Sequence, residues 1–112
     1  MLTRRNGNNY DAETIVELMR VWYVNNRETD DNRKKYYCGI TNDPETRKTT
    51  HEREDHGGRE IEKMLVYECD NVDIATEIES IMGEKGFDIG NPRYLGNGAA
   101  NDSKYVYLYR KP

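Results

Sequence analysis

The chain has 112 residues, 35% of them hydrophobic and 34% charged, and a formal net charge of −4. That length holds one domain with a thin core and excludes two. The acidic balance argues against a protein that coats nucleic acid, because such coating relies on Lys and Arg, yet it leaves room for a local basic site.

Residues 1–9 are polar and read as a flexible N-terminus, followed by a single domain over 10–112. Ala12, Ile15, Val16 and Met19 recur at i, i+3, i+4 and i+7, one face of a short helix with Asp11 near its start. Val21, Trp22, Tyr23 and Val24 form a β-branched and aromatic run that predicts a strand. A polar connection over 25–35 leads to a second predicted strand, Tyr36 to Ile40. Asp43 at an N-cap followed by Pro44 at the first helical position predicts a helix from Pro44 to about Asp55. Glu45 complements its dipole, and Gly57-Gly58 ends it. Met64 to Cys69 predicts a third strand. Asn71 or Asp73 caps a further helix whose core face is Ile74, Ile78, Ile81 and Met82, stopping near Gly83 to Gly86. Residues 87–104 read as a long loop rich in Gly and Asn, of a length that is often functional. Tyr105 to Tyr109 predicts the last strand; Tyr105, Tyr107 and Tyr109 share one face, as core or as a platform for stacking bases.

The charge is uneven. Arg33, Lys34 and Lys35 form a basic run, acids dominate from Glu52 to Glu79, and Lys104, Arg110 and Lys111 turn the end basic again. Cys38 and Cys69 lie in apolar runs and read as buried thiols of a reducing compartment. There is no CxxC or HExxH spacing, no leader-like apolar stretch at the N-terminus, and nothing near the ~20 apolar residues a membrane span needs. The expectation is a cytoplasmic protein without membrane contact.

The informative stretch runs from Tyr37 through Gly39 and Asp43-Pro44 to Arg47 and His51. A strand ends in a glycine that permits close backbone approach, and a helix begins at once with its N–H groups aimed at the turn, a favourable place for an anion. Arg47 and His51, four residues apart, share a helical face. Arg grips a phosphate bidentately and His moves protons or binds an oxyanion. Taken singly, each has an ordinary reading: half-buried strand tyrosines, a solvated helical Arg or Glu, and a His56 that helps close a helix C-terminus.

Tyr37-x-Gly39 followed by Arg47 and His51 resembles the second half of the GIY-YIG nuclease signature. The Gly-x-Tyr strand of the first half corresponds to Val21-Trp22-Tyr23, with Val21 in place of the glycine; Ala75 and Glu79 match the family's helix glutamate. Asn91, Asn97 and Asn101 compete for its closing Asn, Asn97 being favoured. The resemblance spans roughly residues 19 to 109. It implies an α/β (α+β) fold with a small antiparallel sheet of three to four strands flanked by helices.

It also implies a stand-alone endonuclease with Tyr23, Tyr37, Arg47, His51 and Glu79 as catalytic residues. Glu79 would hold one divalent cation, Mg²⁺ or Mn²⁺. Gly39, Thr41, Lys48, Asn97 and Arg110 would bind a nucleic-acid substrate. Tyr23 or Tyr37 would position or deprotonate the attacking water; a free phenol, with a pKa near ~10, needs a nearby cation for the latter. A homodimer is compatible, because one compact site cuts one strand at a time. The missing glycine at Val21 and the acidic balance support an alternative: an inactive domain that sequesters a nucleotide or cyclic nucleotide signal, as in phage counter-defence. A protein-protein inhibitor module, with Glu52 to Glu79 as a nucleic-acid mimic, is a third reading.

Overall fold

The computed structural model describes residues 2–90 and 103–112. The fold is α+β: β1 (Leu2–Asn6), α1 (Ala12–Asn26), β2 (Tyr36–Thr41), α2 (Pro44–Thr50), β3 (Met64–Glu68), α3 (Val72–Glu84) and β4 (Tyr105–Arg110). The four strands form one sheet in the order β1-β3-β4-β2. β4 runs antiparallel to both β2 and β3, so the three central and right-hand strands match the antiparallel expectation, while β1 joins β3 in parallel and makes the sheet mixed.

Two expectations change here. Leu2–Asn6, expected to be flexible, is a strand. Its polarity is that of an edge strand: residues 3 to 6 are exposed, and pairing with Met64–Glu68 satisfies one side of its backbone. Val21 to Val24, expected to be a strand, lies inside α1. Asp11 caps that helix by accepting from Thr14 N–H at 2.8 Å, and the buried series Ile15, Met19, Tyr23 continues at four-residue spacing across the β-branched run. Val21 and Val24 face outward. The helical period and the buried face it offers outweigh the local preference of the two valines.

The remaining elements follow their signals. Asp43 accepts from Thr46 N–H at 3.2 Å and Pro44 opens α2. The helix widens into a π turn over His51–Asp55 and ends where Gly57 and Gly58 take positive φ angles of 60° and 84°. Asn71 caps α3 by accepting from Ile74 N–H at 3.0 Å. Phe87 is buried, and Asp88 pairs with the outer edge of β2: Cys38 N–H donates to the Asp88 carbonyl at 2.8 Å, and Asp88 N–H to the Tyr36 carbonyl at 3.0 Å.

Strand alternation gives the sheet two faces. One packs Tyr36, Cys38, Leu65, Tyr67, Val106 and Leu108 against α1 and α3, whose Ile15, Met19, Ile78 and Met82 are fully buried. The other carries Met64, Val66, Tyr107 and Tyr109 with the half-buried Tyr37 and Tyr105. Cys38 and Cys69 are free, buried thiols, and burial pushes both up, Cys69 to about 11. No helix among the described residues is long and apolar enough to cross a membrane.

Candidate functional site

Tyr37 projects from β2 onto the tyrosine-bearing face. Its ring centroid lies 4.9 Å from His51, 5.6 Å from Tyr109 and 6.1 Å from Tyr107. Tyr107 stands opposite Gly39 in the β2–β4 ladder and lies across it. A Cβ at position 39 would stand 2.6 Å from Tyr107 Cζ and closer still to its hydroxyl. Gly39 is therefore the space that the Tyr107 ring fills, rather than a backbone surface open to a phosphate.

α2 and its π turn run back over this face and bring His51 down onto it. Both ring nitrogens are engaged: Nδ1 lies 2.6 Å from Asp55 Oδ2, and Nε2 lies 2.7 Å from the Tyr107 hydroxyl. A carboxylate only accepts, so Nδ1 carries the proton and Nε2 accepts from the Tyr107 O–H. This tautomer is assigned from the network. Burial lowers the His51 pKa from its ordinary value, with Asp55 opposing that shift, which agrees with a neutral imidazole. A parallel pair joins His56 Nε2 to the Tyr109 hydroxyl at 2.9 Å. His51 and Tyr107 are 6% and 1% exposed, so this network clamps the π turn to the sheet. Both nitrogens of the expected proton carrier are thus engaged within the protein.

Arg47 lies one helical turn before His51 and is half-buried. Among the described residues no acceptor or carboxylate pairs with its guanidinium, but its charge favours ionisation of Tyr37 and Tyr107. Burial, followed by the charges of Glu79 and Asp88, dominates and pushes Tyr37 up to about 12. Tyr37 is thus a neutral phenol at neutral pH.

The charge of Glu79, on α3, acts on the same phenol. It is 7% exposed, and burial pushes its carboxyl up to about 7. Among the described residues none donates a hydrogen bond to it. A carboxylate largely removed from solvent with no charged partner among the described residues suits one hard cation that keeps most of its waters. No group of three or more His, Cys, Asp or Glu residues capable of holding a metal occurs among the described residues.

The structure thus brings Tyr37 and His51 into ring contact at β2, with the charges of Arg47 and Glu79 acting on the Tyr37 phenol, and leaves other expected residues elsewhere. Tyr23 is buried on the opposite face, edge-on to Tyr36 at 4.9 Å and to Phe87 at 5.1 Å; its place on α1 fixes it in the core. Thr41 is buried and its Oγ1 accepts from Asp43 N–H at 3.0 Å, shaping the turn into α2. Lys48 pairs with Glu52 at 2.8 Å, and Glu52 also accepts from Ile61 N–H. Arg110 forms two bonds to Asp31 at 2.9 and 3.1 Å and reaches Glu28; it holds the Asp31 carboxyl down to about 2. These pairings are structural. Asn97, like Asn91 and Asn101, lies outside the described residues.

Asp55 and the Tyr107–His51 and Tyr109–His56 pairs are the groups that sequence reasoning did not assign. A signal existed: His51 and Asp55 stand four apart on one helix, and the alternating tyrosines of β4 form a single face. No family model, curated protein or solved structure matches the chain.

Proposed function

We propose that the chain is a small metal-dependent endonuclease that hydrolyses phosphodiester bonds of nucleic acid, using chemistry of the GIY-YIG type. The observation that supports this reading is Arg47: a half-buried guanidinium with no partner among the described residues, whose charge acts on the same phenol as that of the buried Glu79. An unpaired cation at a sheltered position is costly unless an anion completes it. A phosphate does so bidentately.

On this reading Arg47 binds the scissile phosphate and stabilises the charge that develops on it. Tyr37, as a neutral phenol, donates to and orients the attacking water. Glu79 must be ionised to act, which its position near pH 7 permits. A divalent cation held by Glu79 would polarise the phosphate, acidify the attacking water and stabilise the leaving oxygen. The Asp55–His51–Tyr107 network fixes the turn that follows Arg47 on the same helix. The second tyrosine beside the Tyr37-x-Gly39 strand is Tyr107 of β4, which pairs with β2 directly and leaves Tyr23 to the core.

A supercoiled-plasmid nicking assay with Mg²⁺ or Mn²⁺ tests the proposal. Arg47→Ala should lower the rate about 100-fold, on the order of 3 kcal/mol, and Glu79→Ala should reduce it to background. Equal nicking by the wild type and Glu79→Ala would end the reading.

A further inference from the structure

Two basic runs far apart in sequence meet at the start of β2. Lys111 N–H donates to the Lys35 carbonyl at 2.9 Å, and Tyr36 stands opposite Arg110 in the ladder. Lys34, Lys35, Lys111 and the Asp31–Arg110 pair, with Asp30, line an open groove of about 520 Å³. Its charges are not equally available. Arg110 is neutralised by Asp31 and Glu28. Lys111 is paired to Asp88 at 2.7 Å. Lys34 is exposed and Lys35 half-buried, and neither has an ion pair among the described residues. Asp30 opposes them from the same groove.

The groove adjoins the candidate site through two links. Asp88, the partner of Lys111, bridges Tyr37 along the sheet edge, and the Lys34 charge also acts on Asp88. Lys35 is two residues from Tyr37, a span of roughly 7 Å on extended chain. Phosphates follow along one strand at about 3.4 Å per nucleotide of axis, so the groove begins about two nucleotides from Tyr37.

We propose that this groove is a second phosphate-binding tract, which holds the nucleic-acid backbone flanking the phosphate at Arg47 through Lys34 and Lys35. The proposal rests on the nucleic-acid reading of the Arg47 site. The tract is sequence-independent, since lysines contact the backbone as point charges and read no base edge.

The test is fluorescence anisotropy on the full chain in EDTA, with a labelled mixed-sequence DNA duplex and the same sequence as an RNA duplex. Lys34→Ala/Lys35→Ala should raise Kd about tenfold at low salt. It should also flatten the dependence of log Kd on log salt by about 2, near 0.9 for each phosphate lost, with an unchanged thermal melt. Asp30→Asn should tighten binding. An unchanged Kd and salt slope for the double variant, or no binding of either duplex by the wild type, would overturn the tract. The two ideas separate cleanly. A wild type that binds through Lys34 and Lys35 but never nicks plasmid keeps the tract and loses the hydrolytic reading. Nicking with lysine-independent binding does the reverse.

Discussion

The two faces of the sheet come from the same strands and bury their side chains by different means. Towards α1 and α3, Cys38, Leu65, Val106 and Leu108 meet Ile15, Met19, Ile78 and Met82. That layer is held by apolar area, with each fully buried Leu or Ile side chain contributing about 1.5–3 kcal/mol. Towards α2 the corresponding positions are Tyr37, Tyr107 and Tyr109, and burying a phenol demands a partner for its hydroxyl. Tyr107 finds His51 and Tyr109 finds His56. On the aromatic face, stability therefore depends on direction as well as area. The same directional contacts fix the turn that follows Arg47, so one face supplies the bulk of the cohesion while the other sets geometry.

Truncation on the apolar face should have the largest effect. Leu108→Ala is expected to cost about 4 kcal/mol, through lost transfer energy and the cavity left behind, read as a lower urea midpoint at unchanged slope. If the loss were under 1 kcal/mol, the claim that this face carries the cohesion would fail.

Glu79 sharpens the comparison because its stability effect depends on pH. Its carboxyl binds a proton more tightly folded, near pH 7, than at its ordinary 4.5. Its contribution is therefore fully present below pH 4.5 and is lost as pH rises through about 7. Glu79→Gln, which cannot ionise, should be more stable than the wild type at pH 8 by about 3 kcal/mol, with the gap closing near pH 4. Thermal melts at both pH values check this. A constant gap would mean that burial does not control Glu79.

The smallest effect belongs to Tyr107→Phe. The ring stays, the hydroxyl goes, and His51 Nε2 loses its donor, at about 1–2 kcal/mol. Nicking by this variant should fall more than its stability loss explains, because the clamp on the π turn loosens while the core is intact. Unchanged nicking would place the Tyr–His network outside the site.

Much of this architecture was readable in the residues. Asp43-Pro44 and Asn71 announce two helix starts with specific side-chain caps, and the apolar alternation of β3 and β4 marks strands. Tyr37 and His51 meet because the strand-to-helix turn fixes their offset locally. Tyr23 was misplaced because a valine- and aromatic-rich run carries a strand preference of its own, while the Ile15–Met19–Tyr23 spacing that overrides it has meaning only once a buried face exists. β1 was invisible for the opposite reason: at the edge of a sheet a strand can be almost wholly polar. Arg110 and Lys48 look the same in sequence as Arg47. What separates them is the carboxylates that the fold brings to each, Asp31 and Glu52 in two cases and none among the described residues in the third.

The Asp88 bridge has a consequence for how the molecule behaves in a crowded solution. By occupying the Tyr36 carbonyl and the Cys38 amide, it takes the start of β2 from a neighbouring copy seeking a template on that rim. Among the described residues no strand pairs with the outer rim of β1, which carries Arg4 and Arg5, whose like charges on two approaching copies repel. One border is thus partly covered by backbone and the other guarded by electrostatics, so a sheet this rich in tyrosine resists growing into a ribbon of stacked molecules.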